Sequence, residues 1–169
     1  GYAPGYSAAH ELSKRLRMRY WEDFEVGEVE RYGAYAVTEA EIIEFAKAYD
    51  PLPFHTDPEA AKDSPYGALT APGLLTCAIF MRLLVDHLLL DAASLGSPGV
   101  DAVRWLKPVY AGDTLSLRQE ALGKRVLESR PEMGLVKNRF EVLNQHDEVV
   151  CDIASNGLFA RRDAARGSA

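Results

Sequence analysis

The apolar positions of this chain change their period several times, and each change marks an element. Val29 to Val37 has the aromatic and β-branched content of a strand. Ile42, Phe45, Ala46 and Tyr49 then recur at helical spacing and give one apolar face. Ahead of them, Thr38-Glu39-Ala40-Glu41 fits a capping box, in which the hydroxyl and the carboxylate satisfy free N–H groups of the first turn. The helix is expected to stop at Asp50, because Pro51 pushes the residue before it out of the α region and Pro53 repeats the restriction. Residues 50–71 are expected to be an ordered loop with one short helical turn at Pro58–Lys62. A loop this long inside a compact domain is usually functional.

Pro72 suits the first turn of a helix. From Gly73 to about Leu90 the chain is apolar around most of its circumference, which predicts a helix buried on nearly all sides. After a break at Gly96–Gly99, four strands are predicted: Val100–Val109, Thr114–Lys124, Leu135–Leu143 and Glu148–Phe159. A tight turn at Tyr110–Asp113 and a polar turn at Asn144–Asp147 separate them, and Leu115, Leu117 and Ala121 alternate inward. Strand, helix, loop, buried helix and then an antiparallel meander indicate an α+β domain, with a curved sheet wrapped around the apolar helix.

The 169 residues suit a single domain, expected over 18–160. Residues 1–17 are polar, Gly-rich and weakly patterned, and are expected to be a tag or a disordered extension ahead of Met18. Residues 161–169 are expected to be a flexible tail. The net charge of −6 argues against nonspecific binding to nucleic acid or to an anionic membrane. Leu74 to Leu90 is apolar enough to raise the question of a membrane span, but it is slightly short and is interrupted by Arg82, Asp86 and His87. Cys77 and Cys151 each lie in apolar surroundings, which suits a reducing cytoplasm rather than a disulfide framework. No CxxC or HExxH spacing signals a metal, and Asp50, His55 and Asp57 lack a further ligand pattern.

The candidate chemistry lies in Asp50-Pro51-Leu52-Pro53-Phe54-His55-Thr56-Asp57. A carboxylate and an imidazole stand five residues apart, both able to move protons near neutral pH, with two prolines limiting how their connection bends. Asp57 precedes a proline and reads as a local N-cap. Ser64 could bond into the site or cap the loop. Tyr66-Gly67 could pack the loop, with Gly67 allowing close backbone approach. His87 and His146 read as a helix-surface and a turn histidine, and Arg104 and Lys107 as a solvated strand edge or as contacts to a phosphorylated ligand.

Two blocks resemble the MaoC-like dehydratases, including the R-specific enoyl-CoA hydratases, which share the hot-dog fold. The first is Tyr49-Asp50-Pro51-Leu52-Pro53-Phe54-His55-Thr56-Asp57 with Ala60-Ala61, Ser64, Tyr66-Gly67 and Ala71-Pro72-Gly73. The second runs from Val103 through Lys107-Pro108 and Gly112-Asp113 to Leu115. The resemblance covers about residues 20–160. Leu52 stands where the family commonly has Asn, and Pro72 where it commonly has His.

The resemblance implies that Asp50 and His55 handle water and protons while a helix N-terminus binds the thioester oxygen. The start of the buried helix presents free N–H groups and a positive dipole end. Gly73, with no side chain to block a thioester, is the candidate donor, Leu74 is the alternative, and Pro72 cannot donate. The implied reaction is the reversible addition of water across the 2,3 double bond of an enoyl-CoA. CoA belongs to the substrate and no separate cofactor is expected. A homodimer or an assembly of dimers is implied, without nucleic-acid or membrane partners. Two other readings stay open: a hot-dog thioesterase, in which water attacks the thioester carbonyl, and a noncatalytic acyl-CoA-binding or assembly subunit.

Overall fold

Five strands form one antiparallel sheet: β1 (Val29–Ala36), β2 (Gly99–Trp105), β3 (Thr114–Val126), β4 (Met133–Leu143) and β5 (Val149–Ala160). Their order across the sheet is β1-β3-β4-β5-β2. The computed structural model describes residues 18–162. The expectations for residues 1–17 and 163–169 lie outside the described residues. Arg161 and Arg162, expected in the tail, are anchored: their N–H groups donate to the Glu132 carbonyl at 2.9 Å and to the Glu22 carboxylate at 3.0 Å.

The alternation along β3 explains how the sheet builds its core face. Leu115, Leu117 and Ala121 are buried, as their period of two requires. Gln119 shares that row and is buried too. Its amide is satisfied there: the Tyr32 hydroxyl donates to Oε1 at 2.7 Å, and Nε2 donates to Oδ1 of Asn138 at 3.1 Å. β2 ends at Trp105 rather than at the expected Val109. The N–H groups of Leu106 and Lys107 both reach the Val150 carbonyl, at 2.9 and 3.3 Å, so the ladder breaks ahead of Pro108.

The helix α1 (Glu39–Tyr49) starts and stops where expected. Thr38 accepts from the Glu41 N–H at 3.2 Å, which is half of the predicted capping box. The other half is replaced. The Glu41 carboxylate accepts from the Tyr35 hydroxyl at 2.5 Å, and this bond pushes the tyrosine up to about 12. The following loop holds two short helices, α2 (Pro53–Thr56) and α3 (Pro58–Ala61), where only the second was expected. Both open on proline, which tolerates the first helical position because no N–H is needed there.

The helix α4 (Gly73–His87) lies in the curve of the sheet. Leu75, Ile79, Phe80, Leu83 and Leu84 are buried, with the Phe80 ring 5.0 Å from that of Phe140. A sheet wrapped around one long helix is the hot-dog fold. The expectation of burial on nearly all sides needs correction, since Leu74 is 64% and Met81 48% exposed. Gly73–Asp91 is long and apolar enough to span a bilayer by length and composition alone. A helix packed on a sheet passes the same test, and the buried face of α4 shows that packing.

Candidate active site

Asp50 and His55 meet because α1 ends in one and α2 carries the other. Asp50 caps α1, donating its N–H to the Ala46 carbonyl at 2.8 Å. Its own carbonyl accepts from the Leu52 N–H at 2.8 Å, which tightens the turn at Pro51. Leu52 is the N-cap of α2, and its carbonyl accepts from the N–H groups of His55 and Thr56 at 2.9 and 3.1 Å. An asparagine there could cap α2, whereas the Leu52 side chain makes no capping bond and is 46% exposed.

His55 is buried, with Nδ1 2.6 Å from the Thr70 carbonyl oxygen. A carbonyl only accepts, so the proton of the neutral ring sits on Nδ1 and the Nε2 lone pair is free. Nε2 lies 3.4 Å from Oδ2 of Asp50, whose side chain is 38% exposed. That separation is long for a strong direct hydrogen bond. The two acceptors are therefore placed to share one water, each taking one of its O–H bonds. Thr70 is held in turn by its N–H to the Phe54 carbonyl at 3.2 Å and by a bridge to Tyr110. The edge of the Phe54 ring packs on the imidazole at 4.4 Å between centroids.

Both groups line a solvent-open cavity of about 530 Å³, together with Tyr66, Gly73 and Leu74. The start of α4 therefore faces the same space as Asp50 and His55. Leu75 and Thr76 donate to the Pro72 carbonyl, and no side chain caps this end. Among the described residues, the N–H groups of Gly73 and Leu74 have no backbone partner outside the helix. They are the free donors that a helix N-terminus leaves.

Ser64 and Gly67 do not line the cavity. The Ser64 hydroxyl donates to the Ala61 carbonyl at 2.6 Å and accepts from the Tyr66 N–H at 3.3 Å, so it caps its own turn. Gly67 has φ +70 with open space beside its Cα, so backbone conformation rather than close approach requires glycine. Asp57 caps α3 through the Glu59 N–H at 2.9 Å. Lys107 lines the cavity and pairs with Glu148 at 2.6 Å, while Arg104 does not line it. Among the described residues, no three metal-binding side chains come together.

The sequence reading missed Thr70, Thr76 and Trp105, all of which line the cavity. Trp105 also revises the reason for Gly73. A Cβ on Gly73 would stand 2.6 Å from Cε2 of the Trp105 indole and 2.8 Å from its Nε1. The missing side chain makes room for tryptophan, not for a thioester. The proline and glycine around the second block carried no signal of that contact.

The MaoC like domain family matches residues 24–142. This chain belongs to that family. It is similar to the MaoC-like dehydratase from Rhodospirillum rubrum, with 36% identity over 85% of this chain and 97% of that one, and a TM-score of 0.78. It is similar to the HadBC (3R-hydroxyacyl-ACP dehydratase) complex from Mycobacterium tuberculosis, with 26% identity over 79% of this chain and 96% of that one, and a TM-score of 0.61. The uncharacterized protein YdeM of Bacillus subtilis (strain 168) is 26% identical over 75% of this chain and 88% of its own length. The MaoC-like chain described here thus carries the fold and the paired Asp50 and His55 of the sequence motif, and the family supports hydratase or dehydratase chemistry in general.

Proposed function

We propose that this MaoC-like protein reversibly adds water across the 2,3 double bond of an enoyl thioester, with CoA as the carrier. The observation that carries the reading is the 3.4 Å approach of Asp50 Oδ2 and His55 Nε2 in a cavity shared with the free N–H groups of α4. A water held between the two acceptors loses one proton to the pair as its oxygen bonds to C3. The π electrons move toward the thioester oxygen, where the Gly73 and Leu74 N–H groups meet the developing charge. The proton returns to C2 as the enolate collapses. Atoms and charge balance without a separate cofactor. The similarity to a 3R-hydroxyacyl-ACP dehydratase supports a thioester substrate and leaves an acyl carrier protein as the rival carrier.

The assembly we propose is a pair of chains. Leu74 and Met81 on α4, and Val100 and Trp105 on the edge strand β2, are apolar side chains left exposed in one copy, and β2 is an unpaired sheet edge. The expected cytoplasmic setting and the absence of nucleic-acid or membrane partners belong to the same proposal.

Incubation with crotonyl-CoA tests the reaction. Loss of the enoyl absorbance without free thiol, and with 3-hydroxyacyl-CoA formed, is the expected result. Free CoA thiol without hydroxyacyl product would replace this reading with the thioesterase. No product at all, with acyl-CoA still bound, would replace it with the noncatalytic subunit.

A further inference from the structure

We propose that Trp105 is a positioning residue that aims the first turn of α4, and with it the Gly73 and Leu74 N–H groups, at the substrate's oxygen. The proposal rests on the hydratase reading given above. Trp105 ends β2 opposite Cys151 of β5, so the sheet anchors its backbone. Its indole reaches across to the helix. Nε1–H donates to the Gly73 carbonyl at 2.9 Å, and the ring lies where a residue-73 side chain would be.

Two features make this contact more than packing. The Trp105 side chain lines the cavity and the residue is 53% exposed, yet its single polar atom is directed at the helix instead of at water. The α4 N-terminus has no side-chain cap of its own, because Pro72 occupies the N-cap position. The Ala71 N–H bond to the Val109 carbonyl at 2.8 Å secures the chain just before the turn. Past that point, the indole bond is the side-chain hydrogen bond that ties the turn to the sheet. A donor aimed at a developing oxyanion loses much of its effect when displaced by about 1 Å. The indole also closes the Cα side of Gly73, so a thioester must enter from the side it leaves open.

The test uses Trp105→Phe, which keeps an aromatic ring and removes the N–H. Hydration of crotonyl-CoA should lose about tenfold in kcat with KM within about twofold, because the oxyanion contact strengthens in the transition state. Parental kcat in this variant would overturn the proposal and leave the hydratase reading intact. A second arm pairs Gly73→Ala with Trp105→Ala. Gly73→Ala should lower kcat strongly alone and add little to Trp105→Ala, since the new methyl collides with the indole; equal losses in both backgrounds would overturn the clamp. If the parent hydrates no enoyl thioester, the hydratase reading fails and the clamp is judged by amide resonances. Gly73 and Leu74 should then shift and broaden in Trp105→Phe while Ile79 to Leu84 hold, and unmoved Gly73 and Leu74 would overturn it.

Discussion

Asp50 and His55 face each other across 3.4 Å, Oδ2 to Nε2, while the far side of the same imidazole is locked to the Thr70 carbonyl at 2.6 Å. The histidine therefore has one nitrogen committed to the fold and one turned to the cavity carboxylate. The carboxylate is the more exposed partner. Removing either side chain should thus have different consequences.

Asp50→Asn should lower turnover of an enoyl thioester by about 10²–10⁴-fold, the usual worth of a general base. Among the described residues the carboxylate has no side-chain partner other than His55, so circular dichroism and the melting temperature should match the parent. Unchanged turnover would remove Asp50 from the mechanism.

His55→Ala should lose activity and stability together. It leaves the Thr70 carbonyl without its partner in a buried setting and removes a packed ring, at a cost of about 2–4 kcal/mol. Urea unfolding reads the loss. A variant as stable as the parent would show that the Nδ1 bond contributes nothing to the fold.

Leu52→Asn should stabilise the protein by about 0.5–1 kcal/mol, because it supplies the missing side-chain cap of α2 at an already exposed position. Turnover should change less than about twofold. A large gain in kcat would show instead that an amide at this position acts on water or substrate.

The Cys77 thiol is drawn down to about 7 by a hydrogen bond from the Cys151 thiol, opposed by burial and aided by the Trp105 side chain. Cys151 is pushed up by the same bond. The thiolate is the nucleophile, so alkylation of Cys77 should fall away below pH 7 and level off above it. Cys151, fully buried, should stay unreacted. Cys151→Ala should move the midpoint up toward about 8.5, the value of an ordinary thiol. A parental midpoint already there would show that the two thiols do not interact.

Much of the fold was legible because it follows local rules. Thr38 opened a helix and Pro51 closed it, and Leu115, Leu117 and Ala121 marked the inner face of β3. Gln119 belongs to that row although it is polar, because Tyr32 and Asn138 on other strands satisfy its amide, which no local pattern announces. The turn Pro53–Thr56 was missed because four residues carry no period, and a proline that stops one helix can equally start the next. The apolar circumference of α4 was read as burial within one chain. Leu74 and Met81 are exposed instead, so apolar composition alone does not separate the face of a helix that packs on the sheet from the face that stays open.

The amino-acid sequence by itself determined the α+β order, the helix ending at Asp50 and the presence of a carboxylate and an imidazole on one proline-bounded segment. These are consequences of backbone sterics and short-range spacing. Only the tertiary structure decided which nitrogen of His55 is free, why residue 73 is glycine, and that Thr70 and Trp105 line the cavity of Asp50 and His55 while Ser64 and Gly67 do not. Each of those depends on contacts between residues distant in the chain, such as the 32 positions separating Trp105 from Gly73. Local preference cannot encode such pairs, because the sheet must close around α4 before the indole and the helix turn share a space.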